Sequence, residues 1–307
     1  MDRPETNPMP PEAPARPGGA SSAAGGAARL VTCDTCPHHC ALAEGALGLC
    51  RARRRVGGHV VCESYGRLTS LALDPVEKKP LARWRPGSLV LSAGSYGCNL
   101  RCPFCQNWEI SQAGARDVPW REVSPERLVA LALDARAADH RVTGIAHTYN
   151  EPLVGWEYVR DCGRLAHRSG LANVLVSNGC ASEGVIRELA PLVDAANIDL
   201  KAFDERLYRA CGGSLAAARR TIELLAATPS CHLEVTTLVI PGENDGPASM
   251  EAEARWLASV DPDITLHVTR FFPRWHMQDR GPTPVADVRA LADVARRHLP
   301  HVFVGNC

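Results

Sequence analysis

The chain has 307 residues, of which 45% are apolar, so it can bury a substantial core as one large domain or two small ones. Lysine plus arginine and aspartate plus glutamate number 34 each, which excludes a strongly charged protein drawn to nucleic acid or anionic lipid. The sequence lacks both an apolar run of about 18 residues and a signal-peptide pattern, so we expect a cytoplasmic protein that does not engage a membrane.

Three regions follow one another along the chain. Residues 1–29 are mostly Pro, Ala, Gly and Ser, and we expect a disordered tail because such a composition cannot bury enough apolar surface. Residues 30–87 form a Cys-rich N-terminal segment with only short apolar runs. Residues 88–307 then alternate between strand-type and helix-type segments.

The alternating region predicts an α/β fold. The strand-type runs are 88–95, 144–149, 173–178, 195–200, 232–240 and 264–272. The helix-type segments are 124–138, 154–168, 183–190, 214–227, 248–260 and 285–298. Strand–helix alternation at this spacing indicates parallel strands joined by right-handed crossovers, and six such units suit a partial (βα)6 TIM-like barrel.

Polar side chains follow four of the predicted strands, at the point where each strand ends. In barrels of parallel strands the chemistry lies at these C-terminal ends. The residues concerned, strand by strand, are Cys98, Cys102 and Cys105; Asn150 and Glu151; Ser177 and Asn178; and Asp199 and Lys201.

The loop after the first strand carries three cysteines with the spacing C-x3-C-x2-C. The chain has 13 cysteines, an odd number, and the cytosol disfavours disulfides, so metal or cluster ligation is the natural explanation. A cubane iron–sulfur cluster has four irons, and three thiolates leave one of them open to a small molecule. A zinc ion would need a fourth ligand, and no histidine is near.

The N-terminal segment carries a second set of cysteines. Cys33, Cys36, Cys40 and Cys50 have the spacing C-x2-C-x3-C-x9-C, which supplies four ligands for either zinc or an auxiliary iron–sulfur cluster. His38 or His39 could replace a thiolate, and a set of unligated thiols in a flexible arm is the alternative. The remaining cysteines are predicted to be ordinary free thiols: Cys62, Cys162, Cys180, Cys211, Cys231 and Cys307.

The motif C-x3-C-x2-C, with Phe104 before its third cysteine, resembles the radical S-adenosylmethionine (SAM) superfamily. The resemblance implies a [4Fe-4S] cluster on Cys98, Cys102 and Cys105. It also implies SAM as the ligand of the open iron, reductive cleavage of SAM to a 5′-deoxyadenosyl radical, and an electron donor such as ferredoxin or flavodoxin.

The same resemblance assigns further cofactor-binding residues. Asn150 and Glu151 stand where the family has a motif that meets the SAM amino group, with a simple loop and helix start as the alternative. Four residues at the next two strand ends resemble the ribose- and carboxylate-contacting positions of activating enzymes: Ser177, Asn178, Asp199 and Lys201. The alternative is that they form plain turns.

Segments 33–53, 65–81, 91–112 and 147–152 together resemble the radical SAM member of the AmmeMemoRadiSam system, close to the pyruvate formate-lyase activating enzymes. This implies an oxidoreductase-like enzyme of activating type that abstracts hydrogen from a substrate the sequence does not identify, and that acts with a protein partner or on a macromolecule. The alternatives are a glycyl-radical activase and a non-catalytic iron–sulfur or zinc protein.

Overall fold

The computed structural model describes residues 30–307, so the predicted disordered tail lies outside the described residues. Fourteen strands are found among these residues: β1 (Val31–Thr32), β2 (Ala41–Leu42), β3 (Arg53–Val56), β4 (His59–Cys62), β5 (Arg67–Leu68), β6 (Ser70–Pro75), β7 (Leu89–Gly94), β8 (Arg121–Glu122), β9 (Val142–His147), β10 (Ala172–Ser177), β11 (Ala195–Asp199), β12 (His232–Val239), β13 (Thr265–Arg270) and β14 (Val302–Gly305).

In the described part of the chain, eight α-helices connect and cover the strands: α1 (Trp108–Ser111), α2 (Pro125–Ala138), α3 (Trp156–Arg168), α4 (Glu183–Leu189), α5 (Glu205–Ala210), α6 (Leu215–Ala226), α7 (Pro247–Val260) and α8 (Val285–Arg296). Short 3-10 helices span Val76–Lys78, Pro152–Gly155 and Ala190–Leu192. None of the helices within residues 30–307 is long and apolar enough to cross a membrane.

The main sheet has eight strands in the order β14-β13-β12-β11-β10-β9-β7-β6. Strands β7 and β9 to β14 run parallel to their neighbours, and β6 pairs with β7 in the antiparallel direction. Each parallel strand is followed by helical structure before the next strand begins, so the sheet is built from βα units. The prediction of an α/β fold with a mostly parallel sheet is therefore confirmed.

The predicted elements occur at the predicted places. All six strand-type runs and all six helix-type segments are present, with ends that differ by at most two residues. Ser124 begins α2 as its sequence suggests, because its side chain accepts a hydrogen bond from the backbone N–H of Arg127 at 3.3 Å. The same capping recurs at Ser214 before α6 and at Asp204 before α5.

Two strands of the main sheet were not predicted. β6 lies in the N-terminal segment, and its Leu71 and Leu73 are 43% and 46% exposed, so the strand lacks the buried apolar run that marks the central strands. β14 has only four residues, and its Phe303 is also partly exposed. Edge strands pack on fewer neighbours, which explains their weak sequence signal.

The core lies between the parallel strands and the helices. Central strands β10 and β11 are buried along almost their whole length, as in a sheet covered on both faces. The largest buried apolar cluster extends from the cysteine loop, through Leu175 and Ile198, to Val268 near the opposite edge. The loops at the strand ends are therefore anchored to a closely packed core.

A buried carboxylate ties the N-terminal segment to the sheet. Glu234 on β12 is fully buried, and it accepts hydrogen bonds from His267 at 2.6 Å, from His232 at 2.9 Å, and from the backbone N–H groups of Ala82 and Arg83 at 2.9 and 2.8 Å. Burial alone would raise the pKa of Glu234, but these hydrogen bonds lower it to about 2.

We expect Glu234→Gln to lower the stability of the fold at pH 7 by about 2–3 kcal/mol, because one buried acceptor oxygen becomes a donor that faces other donors. The depressed pKa means that the ionised carboxylate stabilises the protein above pH ~4.5 and that this contribution is lost as the pH falls toward 2. Thermal unfolding of the wild type and the variant between pH 2 and 8 measures the difference and its loss below pH ~4.5. Glu223→Gln, at an exposed ion pair, is the control and should change little. A stability gap that stays constant across this range would contradict the prediction.

Candidate functional site

The three cysteines of the loop after β7 are held by the local backbone. The backbone N–H of Leu100 donates to the Cys98 sulfur at 3.3 Å, and the N–H of Cys105 donates to the carbonyl of Cys102 at 3.1 Å. The Cys105 sulfur lies 3.2 Å from the hydroxyl oxygen of Ser111 in α1. Contacts within the loop and with α1 thus hold the Cys98 and Cys105 sulfurs in place.

Burial raises the pKa of the Cys98 thiol well above its ordinary value, and the charges of Glu151 and Cys102 add to this rise. The pKa of Cys102 is raised in the same direction by a hydrogen bond with Cys211 and by burial. Burial also raises the pKa of Cys105, against the opposing effect of hydrogen bonds to Ser111 and the backbone. Several buried thiolates side by side need a positive partner, which a metal cluster supplies.

These thiols line a cavity of about 670 Å³ at the C-terminal edge of the main sheet. Every cofactor-binding residue predicted from the sequence lines this same cavity: Phe104, Asn150, Glu151, Ser177, Asn178, Asp199 and Lys201. The cavity size lies in the range of small-molecule and cofactor sites. The parallel sheet therefore gathers residues that are far apart in sequence, while their roles in binding stay predictions.

Glu151 lines the cavity and is buried, with 3% of the residue exposed. Its carboxylate accepts hydrogen bonds from the Leu153 N–H at 2.9 Å, the Ser177 hydroxyl at 2.7 Å and the Asn178 N–H at 2.8 Å. Burial raises the pKa of Glu151 to about 7, although these three donors oppose the rise. Glu151 thus joins the ends of β9 and β10 as well as facing the cavity.

An ion pair stands at the end of β11. The Lys201 ammonium donates to Asp199 Oδ2 at 2.8 Å. Burial alone would lower the pKa of Lys201, but Asp199 and the nearby Cys102 raise it above its ordinary value. Lys201 is therefore a fixed positive charge beside the cysteine loop.

Asn150 holds the backbone that leads into the cysteine loop. Its Oδ1 accepts from the Ser95 N–H at 2.9 Å, and its Nδ2 donates to the carbonyls of Tyr96 and Gly97 at 3.1 and 3.0 Å. One side chain on β9's loop thus fixes three consecutive residues just before Cys98. Sequence reasoning assigned Asn150 to the cofactor, and the structure adds this positioning role.

Sequence reasoning missed a polar network beside the cavity. Tyr149 donates its hydroxyl to Asp74 Oδ2 at 2.5 Å, and the buried Lys79 ammonium donates to the same oxygen at 2.7 Å. The Lys79 ammonium also lies 4.7 Å from the centre of the Tyr149 ring. Asp74 and Lys79 lie in segment 65–81 of the family resemblance, but only the pairing of β6 with β7 brings them beside Tyr149, which lines the cavity.

The N-terminal cysteine segment packs directly behind the cysteine loop. Gly97, with φ +86°, lies so close to this segment that an added Cβ would meet the carbonyl oxygen of Cys50 at 2.4 Å and Cβ of Ala52 at 2.9 Å. His38 donates from Nε2 to the carbonyl of Asn99 at 2.7 Å. The two sets of cysteines are thus neighbours in the fold.

The three thiols of the cavity would suit an iron–sulfur cluster. Within residues 30–307, no three His, Cys, Asp or Glu side chains are arranged to hold one metal ion. Three thiolates would ligate three irons of a cubane and leave the fourth iron open. All thirteen cysteines are free thiols, so no disulfide competes for them.

Comparison with known proteins gives one family. The model of the radical SAM superfamily matches residues 93–253. An uncharacterized protein of Methanocaldococcus jannaschii is 34% identical over 278 residues, which cover 90% of this chain and 81% of that protein. The pyruvate formate-lyase 1-activating enzyme of Escherichia coli is 26% identical over 156 residues, which are 48% of this chain and 60% of the enzyme.

Solved structures share the fold. Streptococcus suis SuiB bound to S-adenosylmethionine aligns with a TM-score of 0.53 at 12% identity, covering 71% of this chain and 52% of that one. A radical SAM methyltransferase from Sphaerobacter thermophilus aligns with a TM-score of 0.50 at 19% identity, covering 71% and 66% of the two chains. At these identities the likeness concerns the arrangement of strands and helices.

We expect Gly97→Ala to destabilise the protein by more than about 2 kcal/mol, because the new methyl group would collide with the backbone of Cys50. Gly87→Ala is the matched control, since Gly87 has a similar φ of +78° but open space around it, and it should cost only about 1 kcal/mol. Thermal unfolding of both variants gives the comparison. Equal losses would show that Gly97 is needed only for its backbone conformation.

Proposed function

This chain belongs to the radical SAM superfamily, and from that premise we propose that it cleaves S-adenosylmethionine reductively at a [4Fe-4S] cluster held by Cys98, Cys102 and Cys105. The observation that carries the proposal is the single cavity that these thiols share with all seven predicted cofactor-binding residues. When bound, the cluster supplies the electron that splits SAM into methionine and a 5′-deoxyadenosyl radical.

The chain's own residues orient and enclose this chemistry. The three thiolates would ligate three irons, and Phe104, 5% exposed between them, packs into the core and keeps water from the cluster. Glu151, ionised, would accept from the SAM amino group in a charge-assisted bond. Its three existing donors hold the carboxylate in place, which lowers the cost of ordering it.

The strand ends of β10 and β11 would hold the rest of the cofactor. Ser177 and Asn178 present a hydroxyl and an amide beside Glu151, and both suit hydrogen bonds to a ribose or carboxylate. Lys201, paired with Asp199, supplies a positive charge near the cluster thiolates. This charge would also complement an anionic carboxylate of the ligand.

A substrate would meet the radical inside the same cavity. Lys78, Tyr149, His267 and Phe303 are among its lining residues, so it offers cationic, aromatic and hydroxyl groups. We propose hydrogen abstraction from a substrate of the AmmeMemoRadiSam type, with ferredoxin or flavodoxin as electron donor. A protein or other macromolecular substrate fits the resemblance to activating enzymes.

A second candidate is a glycyl-radical activase, which would abstract hydrogen from a glycine of a partner protein. The 26% identity to the Escherichia coli activating enzyme over 156 residues favours it. The two candidates share the cluster and the cleavage of SAM, and they differ only in the hydrogen donor. Incubation of deuterium-labelled candidate substrates, followed by mass spectrometry of 5′-deoxyadenosine, distinguishes them by the origin of the label.

Replacement of any one of Cys98, Cys102 and Cys105 by Ala should abolish formation of 5′-deoxyadenosine from SAM, because the cluster loses a ligand. The assay uses anaerobically purified, reconstituted protein with dithionite as reductant. Cys307→Ala, at an exposed free thiol, is the control and should keep full activity. Wild-type yields of 5′-deoxyadenosine from the triple variant would refute the proposed function.

Asp199→Ala should weaken SAM binding about 5- to 150-fold, the range for loss of about 1–3 kcal/mol from a bond involving a charged group. Equilibrium binding of SAM to the reconstituted protein measures the change. Asp293→Ala removes an exposed carboxylate that pairs with Arg296 on α8, and it should leave the affinity unchanged. A lower melting temperature with unaltered SAM affinity would assign Asp199 to the fold instead.

A further inference from the structure

The N-terminal segment brings four thiols together beside the main site. Cys33, Cys36 and Cys50 are 6–8% exposed, and Cys40 is half-buried. An added Cβ on Gly48 would lie 3.8 Å from the sulfurs of both Cys40 and Cys50. The Cys36 thiol interacts electrostatically with Cys33 and Cys40, and the Cys50 thiol with Cys36 and Cys33. A segment of 18 residues thus gathers four sulfurs in one region.

The neighbouring histidines do not join this group. His38 is occupied by its 2.7 Å hydrogen bond to the carbonyl of Asn99 on the cysteine loop. His39 is exposed, and its ring lies 3.7 Å from Asp34. The donor set is therefore four thiols without imidazole, which selects soft metals and iron–sulfur clusters.

Amide groups point at these sulfurs as they do in the main site. The N–H of Leu49 donates to the Cys40 sulfur at 3.5 Å. Backbone N–H groups two residues further along, those of His38 and Ala52, face the sulfurs of Cys36 and Cys50.

The main site has the same arrangement. The N–H groups of Leu100 and Asn107 face the sulfurs of Cys98 and Cys105, again two residues further along the chain. Amides aimed at a sulfur stabilise its anionic form, which a neutral buried thiol would not require.

We propose that Cys33, Cys36, Cys40 and Cys50 hold an auxiliary [4Fe-4S] cluster. Four thiolates complete the terminal ligands of a cubane, so this cluster would have no iron open to substrate. The amide-to-sulfur contacts that this set shares with Cys98 and Cys105 favour a cluster over a single zinc ion, which four thiolates would also suit.

The auxiliary cluster would lie directly behind the SAM-binding cluster. The Asn99 side chain hydrogen-bonds the Cys36 thiol, and its Oδ1 accepts from Asn178 Nδ2 at 3.0 Å. Asn178 Nδ2 in turn lies 3.7 Å from the Cys98 sulfur. Two asparagines thus connect a sulfur of one set to a sulfur of the other.

Iron analysis tests the proposal without any assay of SAM cleavage. Anaerobically purified wild-type chain should contain about eight irons and eight acid-labile sulfides, four from each cubane. The variant with Cys98, Cys102 and Cys105 all replaced by Ala should retain about four of each. After reduction with dithionite it should still give the electron paramagnetic resonance signal of one [4Fe-4S]⁺ cluster.

Further replacement of Cys36 and Cys50 by Ala in that variant should remove the remaining iron. The matched control adds Cys231→Ala and Cys307→Ala instead, and it should keep about four irons because neither thiol lies in either set. The proposal is overturned if the folded triple variant contains no iron or holds zinc in its place. It is equally overturned if the wild-type chain never exceeds four irons, a result that does not depend on how the variants fold.

Discussion

The hydrogen bonds of Asn150 to the backbone of residues 95–97 are the interaction on which the site depends. They fix the path of the chain between the buried strand β7 and Cys98, so the thiols enter the cavity at a defined place. Asn150 itself is held at the end of β9, next to β7 in the sheet. The register of two parallel strands thereby determines the position of Cys98, a proposed cluster ligand.

Buried charged side chains are concentrated at the site, and hydrogen bonds stabilise them there. Glu151 has three donors, and Lys201 has Asp199 as partner. A buried charge without such partners would cost several kcal/mol. The thiols are different, because burial raises their pKa and the fold offers them few positive groups. The iron of a bound cluster would supply the positive charge that thiolates at these positions need.

The N-terminal segment is part of the site rather than an appendage. Its strand β6 extends the main sheet, its Asp74 bonds Tyr149, and Glu234 binds its backbone at Ala82 and Arg83. The cysteine segment packs on Gly97, just before Cys98. A region that precedes the βα units in the chain therefore lines and supports the cavity.

The sequence by itself determined the βα units and the candidate site residues. Strands such as β10 and β11 are continuous apolar runs, and their polar C-terminal residues mark the functional edge of any parallel sheet. The spacing of Cys98, Cys102 and Cys105 carried the family resemblance without any tertiary information.

Only the tertiary structure decided what surrounds these residues. The approach of Asp74 to Tyr149 joins residues 75 apart in the chain, and it also requires the pairing of β6 with β7, so no local pattern encodes it. The positioning role of Asn150 and the three donors around Glu151 likewise appear only when separate strands are placed side by side. Local periodicity reports which face of an element is buried, whereas the partner across that face is fixed by packing of the whole chain.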